Sequence, residues 1–103
     1  MESTAEIEWN GDAEERFSEK AIARQEWGTD NGHSNLGRKL IQEVRDKINE
    51  ISGNLNLYPV RSDDERVAPL SSGYVLIYKK VYFKDAAGAT QVKLLLIDVR
   101  KHY

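Results

Sequence analysis

The chain has 103 residues, of which 40% are hydrophobic and 31% are charged, and its formal net charge is -2. This balance predicts one globular domain over residues 1–103 and excludes a disordered chain. Cysteine is absent, which excludes disulfides, a thiolate nucleophile and a Cys-based metal site. Apolar runs stay well below the ~20 residues of a membrane span. We therefore expect a cytoplasmic protein without membrane association, metal or cofactor.

The first predicted elements are a short strand and a helix. Apolar and acidic residues alternate over residues 5–9, which is typical of a half-exposed strand. A turn follows, and Asp12 is a suitable N-cap. The pattern then predicts a first helix that runs to about Trp27, where a polar loop begins.

The second predicted helix has the clearest periodicity in the chain. We expect Ser34 or Asn35 to cap it and Gly53 to end it. Charged residues occupy one face. Its apolar stripe consists of Leu36, Leu40, Val44, Ile48 and Ile51. The two helices therefore form a hairpin that must bury this stripe.

The second half of the chain predicts strands. Residues 54–64 form a connection, and residues 65–70 form a short strand in which Pro69 suits a sheet edge. Two long strands follow as a hairpin, residues 74–83 and a last strand from Val92 on. The predicted fold is α+β, in the order β-α-α-β-β-β. A helical hairpin packs on one face of an antiparallel sheet of three to four strands.

Charge is unevenly distributed along the chain. Residues 1–35 carry nine acids and three bases, whereas residues 74–103 carry six bases and two acids. The net charge is not that of a typical nucleic-acid-binding domain. The C-terminal strands could nevertheless present a basic face to a phosphate backbone.

The end of the chain combines three functional side chains. Since a strand alternates its faces, Asp98, Arg100 and His102 share one face if the strand stays extended. An acid, a guanidinium and an imidazole at a strand end predict a chemical site. The alternative is a polar chain end that frays in solvent.

Two motifs and the order of elements resemble the RelE/ParE superfamily of bacterial toxin–antitoxin toxins. Residues 71–78, Ser-Ser-Gly-Tyr-Val-Leu-Ile-Tyr, resemble that family's turn, Gly-Tyr, apolar triplet and Tyr. Residues 100–103, Arg-Lys-His-Tyr, are similar to the Arg-x-His-Tyr end of the YoeB branch. The length and the element order fit the family over most of the chain.

The resemblance implies two alternative activities. The RelE and YoeB branches are ribosome-dependent endoribonucleases that cut mRNA, whereas the ParE branch poisons DNA gyrase without nuclease chemistry. An antitoxin silences both. The implied partners are therefore a cognate antitoxin with either the ribosome and mRNA or DNA gyrase, and a homodimer is an open alternative.

Several residues match the family's functional positions. His102 and Tyr103 fall on the YoeB-type pair, where the histidine acts in proton transfer. Arg66 lies near the family's second basic position. Val75 follows Gly-Tyr, where the nuclease branches have an arginine and ParE-type toxins have an apolar residue.

RNA cleavage through the 2′-hydroxyl needs a base, an acid and a cation for the phosphate. The histidine pKa near ~6.5 suits either proton role of His102. Arg100 and Arg66 could hold the phosphate, and Tyr103 could stack on a base. The candidate RNA-binding residues are Arg61, Lys79, Lys80 and Lys101. We expect an mRNA endonuclease toxin first, a gyrase poison second, and a non-toxic α+β interaction module third.

Overall fold

The computed structural model describes residues 6–33 and 35–101. The elements are β1 (Glu6–Trp9), α1 (Ala13–Asp30), α2 (Leu36–Gly53), β2 (Val60–Ser62), β3 (Glu65–Pro69), β4 (Tyr74–Lys84) and β5 (Thr90–Lys101). The predicted α+β fold, a helical hairpin against a sheet, is confirmed. None of the helices in these described ranges is both long enough and apolar enough to cross a membrane.

The sheet differs from the prediction in strand number and direction. It has five strands in the order β1-β5-β4-β3-β2. Strand β1 pairs with β5 in parallel, and the remaining pairs are antiparallel. A purely antiparallel sheet of three to four strands was therefore the wrong expectation. Parallel neighbours need a long crossover, and here the helical hairpin and strands β2–β4 lie between β1 and β5 in the chain.

Strand β2 lies within the segment that the sequence predicts as a connection. Its three residues, Val60–Ser62, are all exposed, so they show no alternation of buried and exposed positions. A two-residue turn joins it to β3, with Asp63 and Asp64 at φ values of 51° and 62°. Two successive residues with positive φ are typical of a tight hairpin turn. This turn places Arg61 on the edge strand of the sheet.

Four of the five residues of the predicted apolar stripe of α2 are buried against one face of the sheet, and the fifth, Leu36, is only partly buried. Leu40, Val44, Ile48 and Ile51 are within the core. From the sheet, the core receives Ala68, Leu76, Tyr78, Leu94, Leu96 and Val99. Helix α1 contributes Phe17, whose ring stacks on Trp9 at 5.7 Å. Both helices therefore cover the same face of the sheet, which we call the helix face; the opposite one is the open face.

The ends of the helices follow the prediction in part. Helix α1 ends at Asp30 rather than near Trp27, and α2 ends at Gly53 as predicted. At the start of α1, the Asp12 carboxylate pairs with the Arg16 guanidinium at 2.8 Å instead of capping the helix. Asn35 has a φ of 68°, and its backbone carbonyl accepts a hydrogen bond from the Lys39 N–H. Ser34, the other predicted cap, lies outside the described residues.

Glu43 connects α2 to the turn between β3 and β4. Its carboxylate accepts hydrogen bonds from the Ser71 N–H at 2.7 Å, the Ser72 N–H at 3.3 Å and the Ser71 hydroxyl. Partial burial by itself would raise the pKa of this carboxyl, but the hydrogen bonds from Ser71 and Ser72 together lower it below the ordinary value. The charged form of Glu43 therefore stabilises the position of this turn.

We expect Glu43→Gln to lower the free energy of unfolding by about 1 kcal/mol near neutral pH. Because the folded-state pKa is lowered, the contribution is present above the ordinary Glu pKa and is lost as pH falls through the folded-state pKa. Urea unfolding of both proteins at about pH 7 and about pH 3 measures this difference. The control is Glu50→Gln, which removes only a surface pair with Lys47. A Glu43→Gln difference that is equally large at both pH values would contradict this role of the charge.

Candidate nucleic-acid interface

The end of β5 extends beyond its partner β1. Strand β1 pairs with β5 only as far as Trp9, opposite Leu96. The register of β5 then shifts, which leaves Ile97 as an extra residue in the ladder with β4. Side chains of α1 replace β1 at this point, since Lys20 Nζ donates to the Val99 carbonyl at 2.6 Å. Helix α1 thus brings basic side chains to the end of the last strand.

Asp98 is engaged by the same helix. Its Oδ1 lies 3.4 Å from Lys20 Nζ and accepts a hydrogen bond from the Val99 N–H at 2.9 Å. Among the described residues, the ionic partner of Asp98 is therefore Lys20. The Asp98 carboxylate is therefore part of the contact that anchors α1 on β5.

Arg100 lies on the open face of the sheet. It is directly opposite Val75, and Asp98 is opposite Ile77. Val75 and Ile77 are only 5% and 2% exposed. They form the apolar floor of a depression of about 780 Å³. Its basic lining residues are Lys20, Arg61, Arg100 and Lys101.

A second depression, of about 390 Å³, adjoins the first. Both are lined by Lys20, Tyr74 and Lys101, so they are direct neighbours. The second adds Arg24 and Trp27 from α1. We call the combined surface the basic cleft. Its cations are Lys20, Arg24, Arg61, Arg100 and Lys101, and its aromatic residues are Trp27 and Tyr74.

The basic cleft concentrates positive charge in a chain whose net charge is -2. None of its lining residues in the described part of the chain is acidic. Such a surface attracts phosphate groups, and its arginines can hold them through paired N–H donors. The described lining contains no histidine or carboxylate for proton transfer at neutral pH. The cleft as described can therefore bind a polyanion and stabilise negative charge.

The structure brings three of the predicted site residues together. Arg61, Arg100 and Lys101 all line the basic cleft, although β2 and β5 supply them from distant parts of the chain. His102 and Tyr103 lie outside the described residues. In the sequence, His102 directly follows Lys101, which is a lining residue of the cleft.

Arg66 lies on the other face of the sheet. It is opposite Tyr78, a core residue, whereas Arg100 is opposite Val75 on the open face. Its guanidinium donates to the Tyr58 carbonyl and to Asn56 Oδ1, the latter at 3.3 Å. The structure therefore does not bring Arg66 to Arg100. In the described contacts, Arg66 holds the connection between α2 and β2.

Lys79 and Lys80 are outside the described lining of the basic cleft. Lys79 is opposite Glu65 on the neighbouring strand. Lys80 donates to Asn56 Oδ1 at 3.0 Å and lies 5.5 Å from the centre of the Tyr82 ring. These two lysines point to opposite faces, as alternation along β4 requires.

Helix α1 contributes residues to the cleft that the sequence pattern did not predict. Lys20, Arg24 and Trp27 are spaced i, i+4 and i+7, so they occupy one stripe of the helix. This spacing could have revealed a basic and aromatic stripe. The surplus of acids in the N-terminal third concealed it, because net charge averages over opposite helix faces.

The turn before β4 has the geometry that its sequence predicts. Gly73 has a φ of 89°, a conformation that favours glycine, and its N–H donates to the Leu70 carbonyl at 3.2 Å. Tyr74 then lines the cleft, and Val75 lies in its floor.

No family model, curated protein or solved structure matches the chain. The resemblance to RelE/ParE toxins therefore rests on the element order and the two motifs alone.

Proposed function

We propose that this protein is a RelE/ParE-like toxin that binds mRNA in the basic cleft and cleaves it on the ribosome. The observation that carries the proposal is the cleft itself, whose described lining has five cations and no acidic residue in an acidic chain; one of these cations, Lys20, is paired with Asp98. A domain of net charge -2 has no general affinity for polyanions. We therefore attribute the local cluster of cations in the cleft to phosphate binding.

The proposed chemistry divides the roles among Arg61, Arg100, His102 and Tyr103. The 2′-oxygen attacks the adjacent phosphorus and the bond to the 5′-oxygen breaks, which leaves a cyclic phosphate and a 5′-hydroxyl. Arg61 and Arg100 stabilise the charge on the non-bridging oxygens. His102 takes the 2′-hydroxyl proton or gives a proton to the leaving oxygen, with water in the other proton-transfer role, and Tyr103 stacks on a base.

Arg66 takes a different role in this proposal from the one that the motif suggests. Its guanidinium is engaged with Tyr58 and Asn56 on the helix face, so it supports the connection to β2. Arg61, on the adjacent edge strand, supplies the second cation instead. The proposed partners are the ribosome, mRNA and a cognate antitoxin in the cytoplasm.

The second candidate is a gyrase poison without nuclease activity. Val75 favours it, because this position carries an arginine in the nuclease branches. Here the side chain is 5% exposed in the apolar floor and supplies no cation. In this alternative the basic cleft docks on the target protein, and His102 has no role.

Induced expression in a bacterial host distinguishes the candidates. We expect growth arrest with new in-frame mRNA ends within minutes, and we expect His102→Ala to abolish both, because the imidazole transfers the proton. The control variant is Lys84→Ala, an exposed cation at the far end of β4, which should stay toxic. Arrest with intact transcripts and an equally toxic His102→Ala variant would support the gyrase poison. Absence of arrest would contradict both candidates.

A further inference from the structure

The basic cleft has an aromatic end that phosphate binding alone does not explain. Trp27 is 57% exposed and lines the smaller depression together with Lys20, Ala23 and Arg24 of the same helix. A large exposed indole beside cations is typical of sites for single-stranded nucleic acids, where bases stack on aromatic rings and phosphates contact the cations. Ala23 has a small side chain, which leaves room between the Lys20 and Trp27 side chains.

The chain after α1 holds the Trp27 indole in place. The His33 ring stacks on it, with 6.2 Å between ring centres and an angle of 7° between the planes. The His33 N–H donates to the Gly28 carbonyl at 2.6 Å. A Cβ atom at Gly28 would lie 2.3 Å from the His33 carbonyl oxygen, so glycine is required for this close approach. The indole is therefore oriented before any ligand binds, which reduces the entropy lost on binding.

A second planar group, the Arg24 guanidinium, lines the same depression. The Arg24 guanidinium lies over the Tyr74 ring, 5.3 Å from its centre. Tyr74 is only 7% exposed, so its ring supports the guanidinium from below. Planar guanidinium groups stack on bases as aromatic rings do. Lys101 supplies a further positive charge at the same depression, whereas the charge of Lys20 is paired with Asp98.

We propose that the depression between Trp27 and Arg24 is a subsite for one unstacked nucleobase of a single-stranded polynucleotide. Trp27 and Arg24 contact the base, and Lys101 contacts a flanking phosphate, whereas the Lys20 ammonium is engaged by Asp98 and the Val99 carbonyl. The choice of RNA over DNA rests on the proposed function, whereas the stacking subsite rests on the geometry of α1. With this subsite, the bound polynucleotide runs from Arg61 and Arg100 along the end of the sheet to α1.

Trp27 fluorescence provides the test. In a Trp9→Phe background, Trp27 is the remaining tryptophan, and the substitution retains an aromatic ring against Phe17. The probes are a short oligo(U) RNA, the matching oligo(dT), and inorganic polyphosphate as a polyanion without bases. We expect oligo(U) to quench the emission and polyphosphate to bind without quenching, because only a base can stack on the indole.

Affinities of variants complete the experiment. We expect Trp27→Ala to bind oligo(U) about tenfold more weakly and polyphosphate as tightly as before. The control is Ile22→Ala, which removes a side chain that is 58% exposed on the same helix but outside the described cleft lining. Tighter binding of oligo(U) than of oligo(dT) would support RNA as the source of the base, and the reverse order would overturn that part.

Three results would overturn the subsite, and they can be distinguished from one another. Oligo(U) binding without quenching, and with an unchanged affinity in Trp27→Ala, would overturn the stacking subsite and leave the proposed function standing. Absence of oligo(U) binding by the wild-type chain, even at low salt, would overturn both. Quenching by an acidic peptide as strong as by oligo(U) would also overturn the base subsite, because it would show a site for carboxylates.

Discussion

Replacing Arg61 and Arg100 together with alanine should weaken the binding of single-stranded RNA about a hundredfold. The two arginines line the open-face part of the basic cleft, and both are exposed. Each substitution removes a charge-assisted hydrogen bond to phosphate, worth about 1.5 kcal/mol or more. The slope of log affinity against log salt concentration should also fall by about 0.7 for each phosphate that the variant no longer neutralises.

The measurement is a salt titration of RNA affinity for the wild-type and variant proteins. The matched control is Arg38→Ala with Arg45→Ala, which removes the same charge from exposed positions on α2 outside the described cleft lining. If net charge alone determined binding, both double variants would lose affinity equally. Equal losses, or an unchanged salt slope in the cleft variant, would contradict a phosphate-binding role for this surface.

Gly37→Ala should lower the free energy of unfolding by about 3 kcal/mol, since it would place a methyl group inside a filled helix–helix contact. A Cβ atom at this position would lie 2.3 Å from the Ala21 carbonyl oxygen and 2.7 Å from Gln25 Cβ. The backbone carbonyl cannot rotate away as a flexible side chain could. The Gly37 N–H also donates to Gln25 Oε1 at 3.0 Å, and this hydrogen bond would be strained as the helices separate.

The control for this effect is the same change at the other end of α2. A Cβ atom at Gly53 would meet nothing within 4 Å. Gly53→Ala should therefore stabilise the protein slightly, by up to about 1 kcal/mol, because alanine favours the helical conformation. Urea unfolding of both variants measures the two opposite shifts. A Gly37→Ala protein as stable as Gly53→Ala would show that the close approach of the two helices is not required.

The second helix and the long strands illustrate how much of the secondary structure the local residue pattern determines. The helical spacing of Leu40, Val44 and Ile48 requires one buried face, and the structure buries it. The long run of aromatic and branched residues in β4 likewise predicts a strand, since such side chains fit the pleated sheet surface. The order of these elements then restricts the fold to a helical hairpin against a sheet.

Only the tertiary structure determined the parallel pairing of β1 with β5 and the strand β2. Four residues, Glu6–Trp9, carry no sign of which strand edge they will join. Val60–Ser62 is an exposed edge strand, and its ladder partner rather than its own pattern defines it. Strand pairing depends on contacts distant in sequence, and short strands contain too little information to specify them.

The same distinction between sequence and tertiary structure applies to the residues of the basic cleft. The sequence by itself determined that the end of β5 carries Arg100 and Lys101 and that its neighbours on β4 are apolar. The tertiary structure decided that Lys20, Arg24 and Trp27 of α1 join them and that Arg66 does not. The physical reason is that residue spacing determines which face of its own element a side chain occupies. Only the packing of elements determines which faces meet.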